Sequence, residues 1–371
     1  MREQLTLQGM IAICLFLGGC TSIPSPTSTT SAILSTSTPT SSPQPAPATA
    51  ALPSAPSARG YHQMAYDSEA DQAILFGGEG SPQSGMIGGT WAYDFSAHQW
   101  HEIALGPGPE QGAAGDLAYD IQSDRVIMFV GSYFFGVDQS PQGRPASETW
   151  AFAFDSDSWK AMQPTASPPG LAGARIAYDI ESDRMILFGG ADPDNFQLLN
   201  QTWAYDFDTD SWQEMNPASR PPPMNFHSMA YDNASDRIIL LGTSIAEGMW
   251  AYDFNIDTWQ PLHPAQMPPF RAYSSMIYDA GSGQVVLFGG ASTPTEEPLS
   301  DMWTYNAADN TWTELTPDTR PAARGWHAAV YNEDARLVLL FGGGPDRESF
   351  TAETWVYEPA RSLWYLEPAT P

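Results

Sequence analysis

From residue 61 onward the chain alternates short apolar stretches with polar clusters, and the first set shows four of them. Residues 61–66 open the set. Residues 73–76 form a continuous apolar run, the pattern of a strand buried on both faces. Residues 90–95 place Trp91, Tyr93 and Phe95 at alternate positions, so all three share one side of a strand. Residues 99–103 complete the set. Acidic clusters such as Asp120-Ile-Gln-Ser-Asp124 and Asp206-Phe-Asp-Thr-Asp210 separate strands one and two, and three and four. Asp and Ser bond their own backbone in such positions and favour tight turns. The pattern predicts four-stranded antiparallel sheets.

The set occurs six times. An aromatic–acid pair marks each copy: Tyr66-Asp67, Tyr119-Asp120, Tyr178-Asp179, Tyr231-Asp232, Tyr278-Asp279 and Tyr331-Asn332. A first Trp follows at 91, 150, 203, 250, 303 and 355, and a second Trp always nine residues later. From that second Trp to the next marker Tyr is always nineteen residues. Only the interval from Tyr to first Trp varies, at 25, 31, 25, 19, 25 and 24. A mean period of 53 is that of radial sheet repeats, in which each sheet is apolar on both flanks and needs neighbours to cover it.

Phe76-Gly77-Gly78, Phe188-Gly189-Gly190, Phe288-Gly289-Gly290 and Phe341-Gly342-Gly343 resemble the diglycine that closes the second strand of kelch repeats. Copies two and four depart from it, with Val130-Gly131 and Leu241-Gly242, and keep both tryptophans. The resemblance covers about residues 59–366 and implies an all-β, six-bladed β-propeller with the first strand of each blade innermost. The expected blades are 59–104, 105–163, 164–216, 217–263, 264–316 and 317–366, within a domain of residues 59–371. Twelve of the thirteen tryptophans occupy repeat positions and are expected to pack between blades. Complete copies at both ends suggest that blade six packs on blade one without an exchanged strand.

The N-terminal region reads differently. Residues 1–19 have a charged start at Arg2 and an apolar run, Met10-Ile-Ala-Ile-Cys-Leu-Phe-Leu17, well below the ~20 residues that cross a bilayer. The run ends in Leu17-Gly18-Gly19-Cys20, which resembles a bacterial lipobox and implies lipidation of Cys20; ordinary secretion with a chance cysteine is the alternative. Residues 21–58 are almost wholly Ser, Thr, Pro and Ala, too poor in large apolar groups to offset ordering entropy, and are expected to form a disordered tether. Membrane contact is expected through the lipid alone, and the location outside the cytoplasm.

Charge and chemistry narrow the function. A net charge of −28 repels phosphate backbones, so nucleic acid is not an expected partner. Both cysteines precede residue 21, which removes a thiol nucleophile or a copper–radical centre from the domain. The six histidines lack paired metal-ligand spacing, so no metal or cofactor is expected, and no catalytic residue is assigned. With 43 acids, a carboxylate pair spaced for glycoside hydrolysis remains open.

All length variation falls in the loops joining strands two and three, which makes their face the expected interaction face. Two features lie there. One is the aromatic triplet Tyr133, Phe134 and Phe135 in the longest loop, read either as a lid or as a ligand contact. The other is the lead-in to each inner strand. Seven residues before the marker Tyr stand Arg59, Arg271 and Arg324; five before it Tyr61, Phe226, Tyr273 and Trp326; four before it His62, His227 and His327. Blades two and three carry only small or apolar groups at these positions. One reading is an asymmetric pocket whose cations hold an anion. The other is that these residues brace turns between blades, as P-x-x-R-x-x-H commonly does in kelch repeats. The expected function is a noncatalytic binding module for an extracellular protein or glycan. The alternatives are an epimerase or lyase acting on a sugar acid through the Arg/His cluster, and a spacer scaffold without a ligand.

Overall fold

In the computed structural model the described residues are 55–80, 84–103, 108–109, 115–131, 147–192 and 195–368. Cys20, the tether before residue 55, and Tyr133, Phe134 and Phe135 lie outside them. Six four-stranded antiparallel sheets follow one another, each with its strands paired in sequence order, and at blade five a two-residue strand, Ala291–Ser292, pairs with Arg271–Ala272 between the second and third strands. The inner strands are Gln63–Asp67, Gly115–Asp120, Arg175–Asp179, Ser228–Asp232, Ser275–Asp279 and Ala328–Asn332. Each contacts the next, and the sixth contacts the first, so the ring closes by packing with no strand shared.

Six apolar clusters fill the six seams. The cluster joining blades six and one holds Ala73, Leu75, Trp91 and Trp100 from one blade and Leu339 and Phe341 from the other. Ile74 and Phe76, the alternate residues of the same second strand, belong to the cluster shared with blade two. A strand whose successive side chains enter two different cores must be apolar throughout, which is why residues 73–76 show no alternation.

The outer tryptophans lock each seam. Trp100, Trp159, Trp212 and Trp259 are buried, and each indole N–H donates to a threonine hydroxyl of the preceding blade: Thr354, Thr90, Thr149 and Thr202, at 2.9, 2.9, 2.8 and 2.9 Å. Blades four and five offer methionine at that position, so Trp312 meets Met249 Sδ at 3.3 Å and Trp364 finds no acceptor among the described residues. Burying an indole of roughly 200 Å² stabilises a seam by about 5 kcal/mol before ordering entropy.

The hairpins at the far end account for much of the acidity. Asp67 Oδ1 accepts from the backbone N–H of Glu69 and Ala70 at 2.9 and 3.0 Å. Asp71, Asp124, Asp183 and Asp236 sit at positive φ, which Asp tolerates, and accept from the marker tyrosines 66, 119, 178 and 231 at 2.8 to 3.1 Å. Burial, reinforced by those carboxylates, pushes the tyrosine hydroxyls above their ordinary range.

Candidate functional site

At the other end of the channel the diglycines set the geometry. Gly189, Gly289 and Gly342 have φ of 71°, 60° and 68°. The N–H of the following glycine donates to the lead-in of the next blade: Gly190 to Met224, Gly290 to Arg324 and Gly343 to Arg59, at 2.8, 2.8 and 2.9 Å. A Cβ on Gly342 would lie 2.6 Å from the Arg59 carbonyl and 2.8 Å from His62 Cε1, so only glycine permits this approach. The clasp from Gly343 to Arg59 adds to the apolar seam and the Trp100–Thr354 bond that fasten blade six to blade one.

The arginines complete the clasp from within each blade. Arg59 donates to the Ser57 carbonyl (3.0 Å), the Gly77 carbonyl (2.8 Å) and the Ser57 hydroxyl (3.1 Å). Arg271 reaches the carbonyls of Pro269 and Gly289 and grips Asp301 with both terminal nitrogens at 2.6 and 2.7 Å. Arg324 bonds the carbonyls of Ala322 and Gly342 and the carboxylate of Glu353. Burial lowers the Arg59 guanidinium to about 10, partly opposed by Glu102. Desolvation raises the Asp301 and Glu353 carboxyls, yet Arg271 and Arg324, together with the indoles of Trp303 and Trp355, hold them below their ordinary values overall. None of the three arginines is in the wall of the channel. The expected cationic ligand site is therefore replaced by three braces, because the carbonyl of a diglycine eighteen residues on captures each guanidinium first.

The histidines sit in the seams. His62, His227 and His327 are buried and meet Phe341, Phe188 and Phe288 of the preceding blade edge-on, at 5.4, 5.6 and 5.4 Å between ring centroids. Burial, then the nearby arginine, pushes His227 and His327 down to about 3 and His62 well below the usual imidazole range. They are neutral spacers at physiological pH. His62 and His327 also line the axial cavity, whereas His227 and the three arginines do not, so the full Arg/His cluster on which the enzyme alternative draws does not share one space.

The aromatic column does come together. Gly173, Phe226, Tyr273, Trp326 and Tyr61, from blades three, four, five, six and one, form a girdle of backbone hydrogen bonds. Phe226 N–H donates to Gly173, Tyr273 to Phe226, Trp326 to Tyr273 and Tyr61 to Trp326, at 2.8 to 3.4 Å. The four aromatic residues all lie at φ between 53° and 62°, a left-handed conformation costing about 1–2 kcal/mol each. Their rings pack in sequence: Phe226–Tyr273 at 4.7 Å, Tyr273–Trp326 at 5.1 Å and Tyr61–Tyr273 at 5.7 Å. The Arg347 guanidinium lies over Tyr273 and Trp326 at 5.7 and 5.9 Å and pairs with Glu296 at 3.3 Å.

Beneath this layer the channel holds a cavity of about 350 Å³, reaching from Tyr61, Phe226, Tyr273 and Trp326 down to the six marker tyrosines. Its wall includes the expected His62 and His327, the carboxylate Glu79 and several serines, and three further polar residues, none of them among the expected site residues, form a network there. Asp116 Oδ2 accepts from the Ile176 N–H at 2.9 Å and faces Arg175 Nη1 at 3.8 Å. With its amide nitrogen turned to the carboxylate, Gln63 donates to Asp116 Oδ1 at 2.9 Å and accepts from Arg175 at 3.3 Å. Burial raises the Asp116 carboxyl, and Arg175 offsets part of that rise. All three stand three residues before a marker Tyr, a column that continues as Ser228, Ser275 and Ala328. Charge at an inward position of the innermost strand is the signal that points to them.

Among the described residues no group of His, Cys, Asp or Glu is arranged to hold a metal ion. The sequence matches the KLHDC2/KLHL20/DRC7 Kelch-repeats domain twice, over residues 7–242 and 219–370. With six closed blades, diglycine clasps and paired tryptophans in agreement with that match, the chain belongs to the kelch-repeat family of β-propellers.

Proposed function

We propose that this propeller is a noncatalytic binding module, held outside the cytoplasm by a lipid on Cys20 through the Ser/Thr/Pro/Ala-rich segment, that captures an extracellular protein on its aromatic mouth. Kelch propellers commonly bind proteins, which favours a protein over a glycan for the main partner. The observation that carries the reading is the girdle: four large aromatics are kept in a conformation the backbone resists. Strain of that kind persists where the ring's position is needed rather than its packing alone. Aromatic and arginine side chains are also the groups that anchor protein interfaces, and Arg347 lies among them.

The test separates strain from packing. Tyr273→Gly relieves the left-handed cost while removing the ring, so folding stability should change by no more than about 1 kcal/mol. Crosslinking on intact cells, read by mass spectrometry, should show capture of the partner reduced tenfold or more. A stability loss of several kcal/mol with capture retained would make the girdle structural only. For the anchor, Cys20→Ser should move the protein from the detergent to the aqueous phase on phase separation; a variant that stays with detergent removes the lipid from the reading.

A further inference from the structure

We propose that the axial cavity is a second binding site, for a small neutral polyhydroxylated molecule of monosaccharide size, held by Gln63, Asp116 and Arg175 beneath the aromatic mouth. The site goes beyond the partner-binding reading and stands or falls separately from it.

The fold does not require these residues. The same position on the inner strand is Ser228, Ser275 and Ala328 in blades four to six, and those blades close equally well. Asp116 and Arg175 each bond the backbone of the next blade, at Ile176 and His227, but Ser275 makes the equivalent link to His327 with a neutral hydroxyl, so a carboxylate and a guanidinium taken largely out of water exceed what bracing needs. Their bonding differs from that of the braces too. The Arg271 side chain is fully buried and bonds carbonyls and a carboxylate with Nε and both terminal nitrogens. Arg175 spends Nε on the His227 carbonyl and Nη1 on Gln63 and Asp116, while its Nη2 has no partner among the described residues. Its side chain keeps 18 % exposure, and Arg175 is part of the cavity wall.

Charge selects the ligand class. Asp116 and Arg175 lie 3.8 Å apart and cancel, and the other carboxylate of the wall, Glu79, feels the opposing charge of Arg347 at the mouth, so an anionic ligand would meet Asp116 and an ammonium would meet Arg175. A neutral hydroxyl can donate to the carboxylate and accept from the guanidinium or the amide, and neighbouring hydroxyls on one molecule can do both at once. The Ser275 hydroxyl, already donating to the His327 carbonyl, can accept as well, and the buried Tyr61 hydroxyl has no hydrogen-bond partner among the described residues. A cavity of about 350 Å³ is at the small end for ligand pockets, which run from roughly 300 Å³ upward. That size suits one sugar ring and excludes a folded partner.

The experiment is titration of the full chain, followed by calorimetry and thermal shift, with glucose, galactose, mannose and N-acetylglucosamine. Glucuronate and glucosamine serve as the charged controls. At least one neutral sugar should saturate the protein with a Kd of the order of millimolar or tighter. Asp116→Asn and Arg175→Gln should each weaken that binding at least tenfold. Gln63→Ala, which removes hydrogen bonds without stranding a buried charge, should weaken it several-fold if the charge variants do not fold. Absence of saturation by every neutral sugar up to about 100 mM, a hundredfold above a millimolar Kd, overturns the proposal. So does saturation by glucuronate or glucosamine alone, or sugar binding indifferent to all three substitutions.

Discussion

The two arcs of the channel mouth are made from equivalent strand positions and use them in opposite ways. Along blades four, five, six and one, the lead-ins carry the four left-handed aromatics and three seam histidines, and in blades five, six and one an arginine brace as well. Along blades two and three the corresponding described residues are Gly115, Leu171, Gly173 and Ala174. The charged groups of that second arc appear one position further in, at Asp116 and Arg175, and face the cavity. The contrast shows what makes an arginine structural in this ring. Where a diglycine follows eighteen residues later, joined in two of the three cases by a carboxylate just before the third strand, the guanidinium is consumed. Arg175 has neither arrangement, and it remains available to the channel.

The largest expected effect sets one arginine against the other. Arg271→Ala strands Asp301 and the carbonyls of Pro269 and Gly289 in a buried seam. It should cost about 3–5 kcal/mol in urea unfolding, the usual cost of breaking a buried charge pair. Arg175→Gln keeps a hydrogen-bonding side chain beside Asp116, whose carboxylate retains the Ile176 and Leu117 amides and the Gln63 amide. With the bond to the His227 carbonyl also lost, it should cost about 1–3 kcal/mol, less than Arg271→Ala. Equal losses in the two variants would erase the distinction between brace and cavity arginine.

Much of this contrast is legible in the chain, at different depths. The six sheets follow from intervals of nine and nineteen residues that never vary, because a strand pair and a seam each fix a length of backbone. The seam role of the outer tryptophans follows from the same spacing. The direction of each arginine does not, since bracing and ligand binding place the residue at the same position in the repeat. What decides it is a carbonyl at fixed separation, as in Arg59 to Gly77, Arg271 to Gly289 and Arg324 to Gly342. That constant offset is visible in the sequence once the diglycine is known to present its first carbonyl to the lead-in. Gln63, Asp116 and Arg175 are harder to find. They sit in separate copies with three different side chains, and only the ring brings them within hydrogen-bonding reach. The left-handed backbone of Tyr61, Phe226, Tyr273 and Trp326 is harder still, because no aromatic residue favours it and the girdle alone imposes it.

A smaller effect tests the histidines of the first arc. His227 and His327 titrate near 3 in the folded ring, whereas the unfolded chain takes up the proton near 6.5. Between those values the unfolded state binds a proton that the folded state refuses. The stabilisation is therefore complete above about pH 6.5 and is lost as pH falls toward 3, at about 1.4 kcal/mol per pH unit for each histidine. His227→Leu should flatten the dependence of unfolding free energy on pH by about that amount between pH 6 and 5. Comparing the variant with the parent cancels the carboxyl groups common to both. Hydrogen exchange supplies the spatial half of the test. On moving from pH 7 to pH 5, after correction for intrinsic exchange, the Gly189 and Gly289 amides beside His227 and His327 should lose protection. The Ala172 amide, in the lead-in where Ala174 replaces histidine, should keep its own. Uniform loosening, or an unchanged slope in His227→Leu, would mean that the two arcs respond to acid as one and that the buried imidazoles do not set the difference between them.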